Sequence, residues 1–311
     1  MNIFRSMDKI SPPPPSSVIA IGNFDGVHLG HRKILNFLKK RARRRNIPAF
    51  VLTFYPHPRQ VIEGIPHPLI QTQKQRLERL EELGIENVVV LDFNKRFAHI
   101  TADDFIKDII IRYLKVREII VGRNFSFGRN REGNVYGLRR RQRRFGFRVF
   151  SVSSVIRNGK PVSSSIIRKF LQEGRMQEAS RLLGRPYQIS GTVIPGRSQG
   201  RMIGYPTANI ESANDILSQG VFLTETKMEE GTCPSLTNIG RRPTFNGEDI
   251  SVETHLLGQH ADLYGKELTI LFHKKLRDEI RFDSPEALAA RIKADIHAAG
   301  IYFGPSLSGN K

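Results

Sequence analysis

The chain has 311 residues, enough for about two domains, with 39% hydrophobic and 25% charged residues, as in ordinary globular proteins. No apolar run approaches the roughly 20 residues that span a bilayer, and one cysteine, Cys233, excludes an internal disulfide or a cysteine-based zinc site. A formal charge of +19 makes anions the natural partners. Met1 to Ser17 lacks the apolar core of a secretory signal, so the expected location is cytoplasmic.

In chain order, Ser11-Pro-Pro-Pro-Pro-Ser-Ser17 reads as a short stiff spacer. Val18 to Ile21 is a buried strand that runs directly into the turn Gly22-Asn-Phe-Asp-Gly-Val-His-Leu-Gly-His31. Ile34, Leu35, Leu38 and Ala42 then recur at helical spacing. Such a strand, turn and helix aims backbone N–H groups and the positive helix end at an anion, and His28 and His31 stand where the helix begins. A phosphate suits that position. Further strands are expected at Pro48–Phe54, Asn87–Leu91, Glu118–Val121 and Phe147–Val152, and helices over Gln71–Gly84 and Ala102–Leu114, the latter capped by Thr101. This alternation predicts a doubly wound parallel sheet with ligands at the strands' carboxyl ends.

The pattern changes near Gly184-Arg-Pro-Tyr187. Short strands at Gln188–Val193, Ala208–Ile210, Val221–Thr224, Ser251–Leu257 and Glu267–Phe272 predict a compact antiparallel barrel. A terminal helix begins at Ser284, with Leu288, Ile292 and Ile296 as its stripe. The domains are therefore read as 1–185 and 186–311. Two basic runs, Lys39 to Arg45 and Arg139 to Arg144, lack regular interleaved aromatics and read as solvated faces rather than a nucleic-acid groove.

Gly22 to His31 resembles the signature of HxGH nucleotidylyltransferases. In its longer form it is similar to the bacterial bifunctional riboflavin kinase/FMN adenylyltransferase (FAD synthetase) family. The resemblance makes His28 and His31 catalytic, with Gly22, Asn23, Phe24 and Gly30 framing the nucleotide. In Val162-Ser-Ser-Ser-Ile-Ile-Arg168 the hydroxyls can cap a helix. The family's matching string adds a phosphate at that helix start, giving Ser164 and Ser165 to the nucleotide and Arg168 to the charge of the transferring group. Ser165 stands where the family usually has threonine. Tyr55-Pro-His-Pro-Arg59 and Gly122-Arg-Asn-Phe-Ser-Phe-Gly128 resemble the family's flavin loops, which implies flavin contacts for His57, Arg59, Asn124, Phe125 and Phe127. Core packing is the competing reading for both phenylalanines.

Gly204-Tyr-Pro-Thr-Ala-Asn-Ile210 resembles the riboflavin kinase signature. Thr207 and Asn209 are two apart, so on a strand they face one way and offer oxygens to Mg²⁺. Gly191 to Arg201, with Gly196 and Arg201, suits a phosphate loop, and no Walker A sequence exists in the chain. Val252-Glu-Thr-His-Leu-Leu257 puts Glu253 at the position of the family's catalytic base, where the bland reading is a cross-strand ion pair. The resemblance thus implies ATP-dependent phosphorylation of riboflavin to FMN, then adenylyl transfer from ATP to FMN. Alternatives are a nucleotidylyltransferase with another phosphorylated acceptor and a basic RNA-binding protein. ATP, riboflavin, FMN and Mg²⁺ are the expected ligands, with no membrane or nucleic-acid partner and a monomer or weak oligomer.

Overall fold

The run Ser17–Ile21 is buried along its whole length because it forms β2 at the centre of a parallel sheet. A computed structural model describes residues 1–196, 200, 203–244, 247–259 and 262–304. They form two compact units, one of Met1–Pro68 and Gln73–Ser164, the other of Leu69–Thr72 and the chain from Ser165 on.

In the first unit β1 (Asn2–Phe4), β2, β3 (Ala49–Tyr55), β4 (Asn87–Asp92), β5 (Val116–Gly122) and β8 (Arg148–Val152) make a six-stranded parallel sheet in the order β1-β4-β3-β2-β5-β8. β1 lies outside the strands legible from the sequence. It is short, only partly buried, and pairs with β4 at the sheet edge. The order reverses between β2 and β5, so the crevice for a ligand lies beyond their carboxyl ends. α1 (Leu29–Arg45) buries Ile34, Leu35, Leu38 and Ala42 on one face of the sheet. α2 (Pro58–Glu63), α3 (Gln73–Glu82) and α4 (Lys95–Ala98) follow their strands.

Thr101 caps α5 (Ala102–Asp104) by accepting from the Asp104 N–H at 3.2 Å. The helix predicted over Ala102–Leu114 then widens into a π-helix, Phe105–Ile111, before closing as α6 (Arg112–Leu114). The wider turn seats Phe105, Ile106 and Ile110 in the core. After β5 the short hairpin β6 (Ser126–Phe127) and β7 (Gly133–Asn134) leads into α7 (Val135–Phe145), and β9 (Ile156–Arg157) and β10 (Lys160–Pro161) form a second hairpin.

α8 (Ser164–Gln172) and α9 (Met176–Leu183) come next. The sequence puts the boundary near 185, where composition changes, whereas the contacts group both helices from Ser165 onward with the barrel. The barrel closes in the order β11-β12-β15-β14-β13-β16. Its strands are β11 (Tyr187–Ile194), β12 (Ala208–Ser212), β13 (Gly220–Met228), β14 (Gly231–Thr244), β15 (Gly247–Leu256) and β16 (Glu267–Arg277). β14 completes a barrel for which the sequence supplied five strands.

Inside, the hydroxyls of Thr224, Thr226, Ser235, Thr237 and Thr254 are all fully buried and close a ring with links of 2.8–3.4 Å. Each finds a partner, which removes the cost of burying it. α10 (Pro285–Phe303) starts at the Ser284 cap and packs Ile296, Ala299 and Phe303 over one part of the barrel. Leu288 and Ile292 of the expected stripe are only half-buried. Between them and Ala299, buried Asp295 pairs with Arg277 at 2.8 Å.

A second buried carboxylate anchors the parallel sheet. Glu118 on β5 is fully enclosed and accepts from Arg41, at 2.5 Å, and from Arg45. Burial alone would raise its pKa, but the two guanidinium groups outweigh that and lower it. Removing a buried charge while its partners stay leaves them uncompensated. Glu118→Gln is expected to cost about 3 kcal/mol, read as a shifted urea midpoint in the full chain.

Candidate active sites

β2 ends at Ile21, and the chain turns through Gly22–Val27 to His28, the N-cap of α1. His28 Nδ1 accepts from the N–H groups of Gly30 at 3.1 Å and His31 at 3.3 Å. An accepting Nδ1 leaves the proton on Nε2, the far side of the ring. The His28 and His31 rings stack with centroids 3.7 Å apart. A side chain at Gly30 would press on the His28 ring at 3.0 Å, which explains the glycine between the histidines. His31 Nδ1 is enclosed and has no hydrogen-bond partner among the described residues. Burial first, then the nearby His28 and Arg76, hold the His31 imidazole well below its ordinary 6.5. It is neutral near pH 7.

The turn is held from behind. The Asn23 carbonyl accepts from Thr53 Oγ1 at 3.1 Å and from Arg76 Nη1 at 2.9 Å. Arg76 Nη2 also reaches the Phe54 carbonyl at 3.2 Å, and Ser164 Oγ donates to the Asp25 carbonyl at 2.9 Å. Arg76 is only 3% exposed. Burial lowers its pKa, opposed by the charge of Asp25, and the guanidinium stays cationic. Phe24 and Val27 adopt positive φ, 51° and 38°, although both are fully buried. For a β-branched valine that is strained backbone, kept by the surrounding contacts.

His57 is buried, caps α2 and lies with Nε2 3.0 Å from the Asn23 amide nitrogen, while its ring stacks on His67 at 4.6 Å. Arg59 is exposed and pairs with Glu63. Asn124 is exposed in the loop after β5. Phe125 stacks on Phe127 with centroids 5.5 Å apart, and Phe127 also packs on Phe105 in the core. Ser164 and Ser165 open α8, and Arg168 is buried one turn on.

In the barrel, Asn209 on β12 pairs across with Glu253 on β15, and Glu253 with Asn238 on β14. Cross-strand partners project to the same side of a sheet. Thr207 Oγ1 donates to Glu253 Oε2 at 3.2 Å. Val252, Thr254 and Leu256 are buried while Glu253 and His255 are not, so Glu253 lies on the outer face of the barrel. The backbone at Gly196 lies so close to the Asn209 amide that a side chain there would collide with it. Hydroxyl and amide oxygens beside a carboxylate form the donor set a hard cation such as Mg²⁺ takes, so these residues fit the metal. Arg201 lies outside the described residues. Two residues along β14 from Asn238, Gly240 abuts Glu279. Glu279 lines a cleft of about 1040 Å³ together with Arg241, Lys275, Ile280 and Arg281.

Comparison with known proteins finds the FAD synthetase family pattern over residues 11–166 and the riboflavin kinase pattern over residues 183–303. The bifunctional riboflavin kinase/FMN adenylyltransferase of Escherichia coli (strain K12) is 37% identical over 308 residues, 98% of each chain. The chain belongs to the bifunctional riboflavin kinase/FMN adenylyltransferase family. The proteins of that name from Pseudomonas fluorescens and Haemophilus influenzae are 36% and 34% identical, over 98% and 97% of this chain and 99% of each of theirs. A crystal structure described as a macrolide-efflux protein from Streptococcus pneumoniae matches 96% of this chain and 97% of its own at 28% identity, with a TM-score of 0.86. Among the described residues no helix is long and apolar enough to cross a membrane.

For a riboflavin kinase/FMN adenylyltransferase, three residues beside the sequence signatures carry no signal of their own in the sequence: Arg76, His67 and Asn238. Arg76 lies within a helix whose apolar stripe carries no hint that a guanidinium is buried there. His67 stands in Pro66-His-Pro68, a loop without periodicity. Asn238 sits on β14, the barrel strand missing from the sequence reading, where its Oδ1 is enclosed without a hydrogen-bond partner among the described residues.

The depressed His31 pKa couples stability to pH. Above 6.5 the ring is neutral in both the folded and unfolded chain and the fold keeps its full stability. As pH falls below 6.5, the unfolded chain binds a proton that the folded chain refuses, so stability is lost. The fall in Tm between pH 7.5 and 5.5 is expected to be smaller in His31→Asn than in the parent, measured by calorimetry.

Proposed function

We propose that this chain makes FAD from riboflavin in two ATP-dependent steps, with residues 186–311 as the kinase part and residues 1–185 as the adenylyltransferase part. The observation that carries the kinase reading is Glu253, set on an accessible barrel face with Asn209 opposite and Thr207 bonded to it. Glu253 accepts the proton of the ribityl 5′-hydroxyl as that oxygen attacks the γ-phosphorus of ATP and ADP leaves. Thr207 and Asn209 hold Mg²⁺, which when bound offsets the charge of the phosphate oxygens. Gly196 and Arg201 serve the nucleotide phosphates, and the cleft beside Glu279 has the size of a small-ligand site.

In the second step an oxygen of the FMN phosphate attacks the α-phosphorus of another ATP, and the bond to the departing pyrophosphate breaks. A phosphate is already a competent nucleophile, so positioning and charge do the work. His28, His31 and Arg168 spread the growing charge. Gly22, Asn23, Phe24, Gly30, Ser164 and Ser165 shape the nucleotide site. The stacked His28 and His31 rings at the N-terminal end of α1 support this role. His57 and Arg59 meet the FMN phosphate, and Asn124, Phe125 and Phe127 flank the flavin, Phe127 from the core. ATP as substrate and a lone buried cysteine support work in the cytoplasm, as a monomer or weak oligomer.

The test is a product assay with riboflavin, ATP and Mg²⁺, resolved by chromatography with fluorescence detection. FMN followed by FAD is expected, and no flavin product would overturn the reading. Glu253→Gln should lower FMN formation about 100-fold or more while leaving FMN adenylylation intact. The double substitution His28→Ala and His31→Ala should do the reverse.

A further inference from the structure

None of the residues assigned above to either reaction lies in the basic run Arg139 to Arg144. Folding divides it into two groups. Arg141 and Arg144 both pair with Asp103, at 2.5 and 2.6 Å, and so belong to the fold. Arg139, Arg140 and Arg143 are exposed and have no carboxylate partner among the described residues. At 100° per residue these three share one side of α7 with Tyr136, which is 70% exposed. That side lies opposite Leu138, the residue α7 buries in the core. Placement at the negative helix end accounts for Arg143, but Arg139 and Arg140 lie in mid-helix, where like charges three and four residues apart repel.

The other basic run behaves differently. Arg41 and Arg45 are spent on Glu118, Lys39 on the Leu83 carbonyl, and Arg43 and Arg44 close the last turn of α1. Lys40, Arg43 and Arg44 make a comparable exposed stripe on α1, but no exposed ring stands beside them, so the stripe joined to an exposed aromatic is the property of α7. Its charge complements phosphates, and an exposed aromatic ring beside them offers a base a stacking surface. The helix's apolar residues Val135, Leu138 and Phe145 are already committed to the core, leaving nothing to insert into a bilayer. From the folded helix, unlike the sequence alone, we propose that Tyr136, Arg139, Arg140 and Arg143 bind single-stranded nucleic acid, with the arginines on successive phosphates and the tyrosine under a base. Arg139 and Arg143 are about 6 Å apart along the helix, so two to three phosphates are engaged. Binding is accordingly weak and independent of sequence.

The probe is a fluorescein-labelled 20-nucleotide oligouridylate, followed by anisotropy across a salt series with saturating ATP present. Wild type is expected to bind, with affinity falling steeply with salt. The R139A/R140A/R143A variant should lose at least 10-fold in affinity and about 2 in the slope of log K against log salt. Tyr136→Ala should weaken binding with the slope unchanged. Replacement of the three arginines by lysine, a check on folding and charge together, should retain the slope, and all variants should make FAD at the parent rate. The proposal is overturned if the triple alanine variant binds like wild type, if ATP abolishes binding, or if wild type binds phosphatidylglycerol vesicles and not the oligonucleotide.

Discussion

Two backbone carbonyls decide what the first unit can do. Asn23 and Asp25 turn their oxygens inward, and Thr53, Arg76 and Ser164 satisfy them there. Without those donors the turn would bury unpaired acceptors, a cost of about 1–3 kcal/mol each. With them, Phe24 and Val27 are held in a conformation they would otherwise avoid, and His28 is delivered to the start of α1. The start of α1 at His28 is thus the outward product of an inward set of bonds, and the cationic Arg76 behind the turn adds a fixed positive charge.

The distinction between surface and support also explains what the sequence makes legible. Continuous apolar runs announced β2 to β5, because a strand in a parallel sheet is buried on both faces. Gly22 to His31 and Gly204 to Ile210 are readable because glycines, histidines and adjacent oxygen donors occur together for chemical reasons. Arg76 is not readable, since an arginine in a helical stripe looks like any surface arginine until the fold closes over it. β1 is too short and exposed for a periodic signal. β14 escapes because Thr232, Ser235, Thr237 and Asn238 break the apolar alternation that marks a strand. Two of its inward positions, Ser235 and Thr237, are hydroxyls that the barrel pairs internally.

The paired and unpaired arginines make the same point about charge. A formal count of +19 says nothing about which cations are free. Glu118, Asp103 and Asp295 each hold two arginines and so tie six of the cations to the fold. After those pairings the exposed arginines of α7 stand beside an exposed ring, which the stripe of Lys40, Arg43 and Arg44 on α1 lacks.

The hydroxyl ring within the barrel carries one more consequence. Its members are saturated by one another, so these hydroxyls have no bond left to offer a guest, and the unburied polar side chains of β15 face outward. On β15 the two regimes are neighbours in the chain: Thr254 points into the ring and Glu253 to the outer face, beside Thr207. A one-residue slip would exchange them, exposing an inert hydroxyl and entombing a carboxylate. This strand can absorb point changes far more readily than a change in length, and its descendants are constrained to vary by substitution rather than by insertion or deletion.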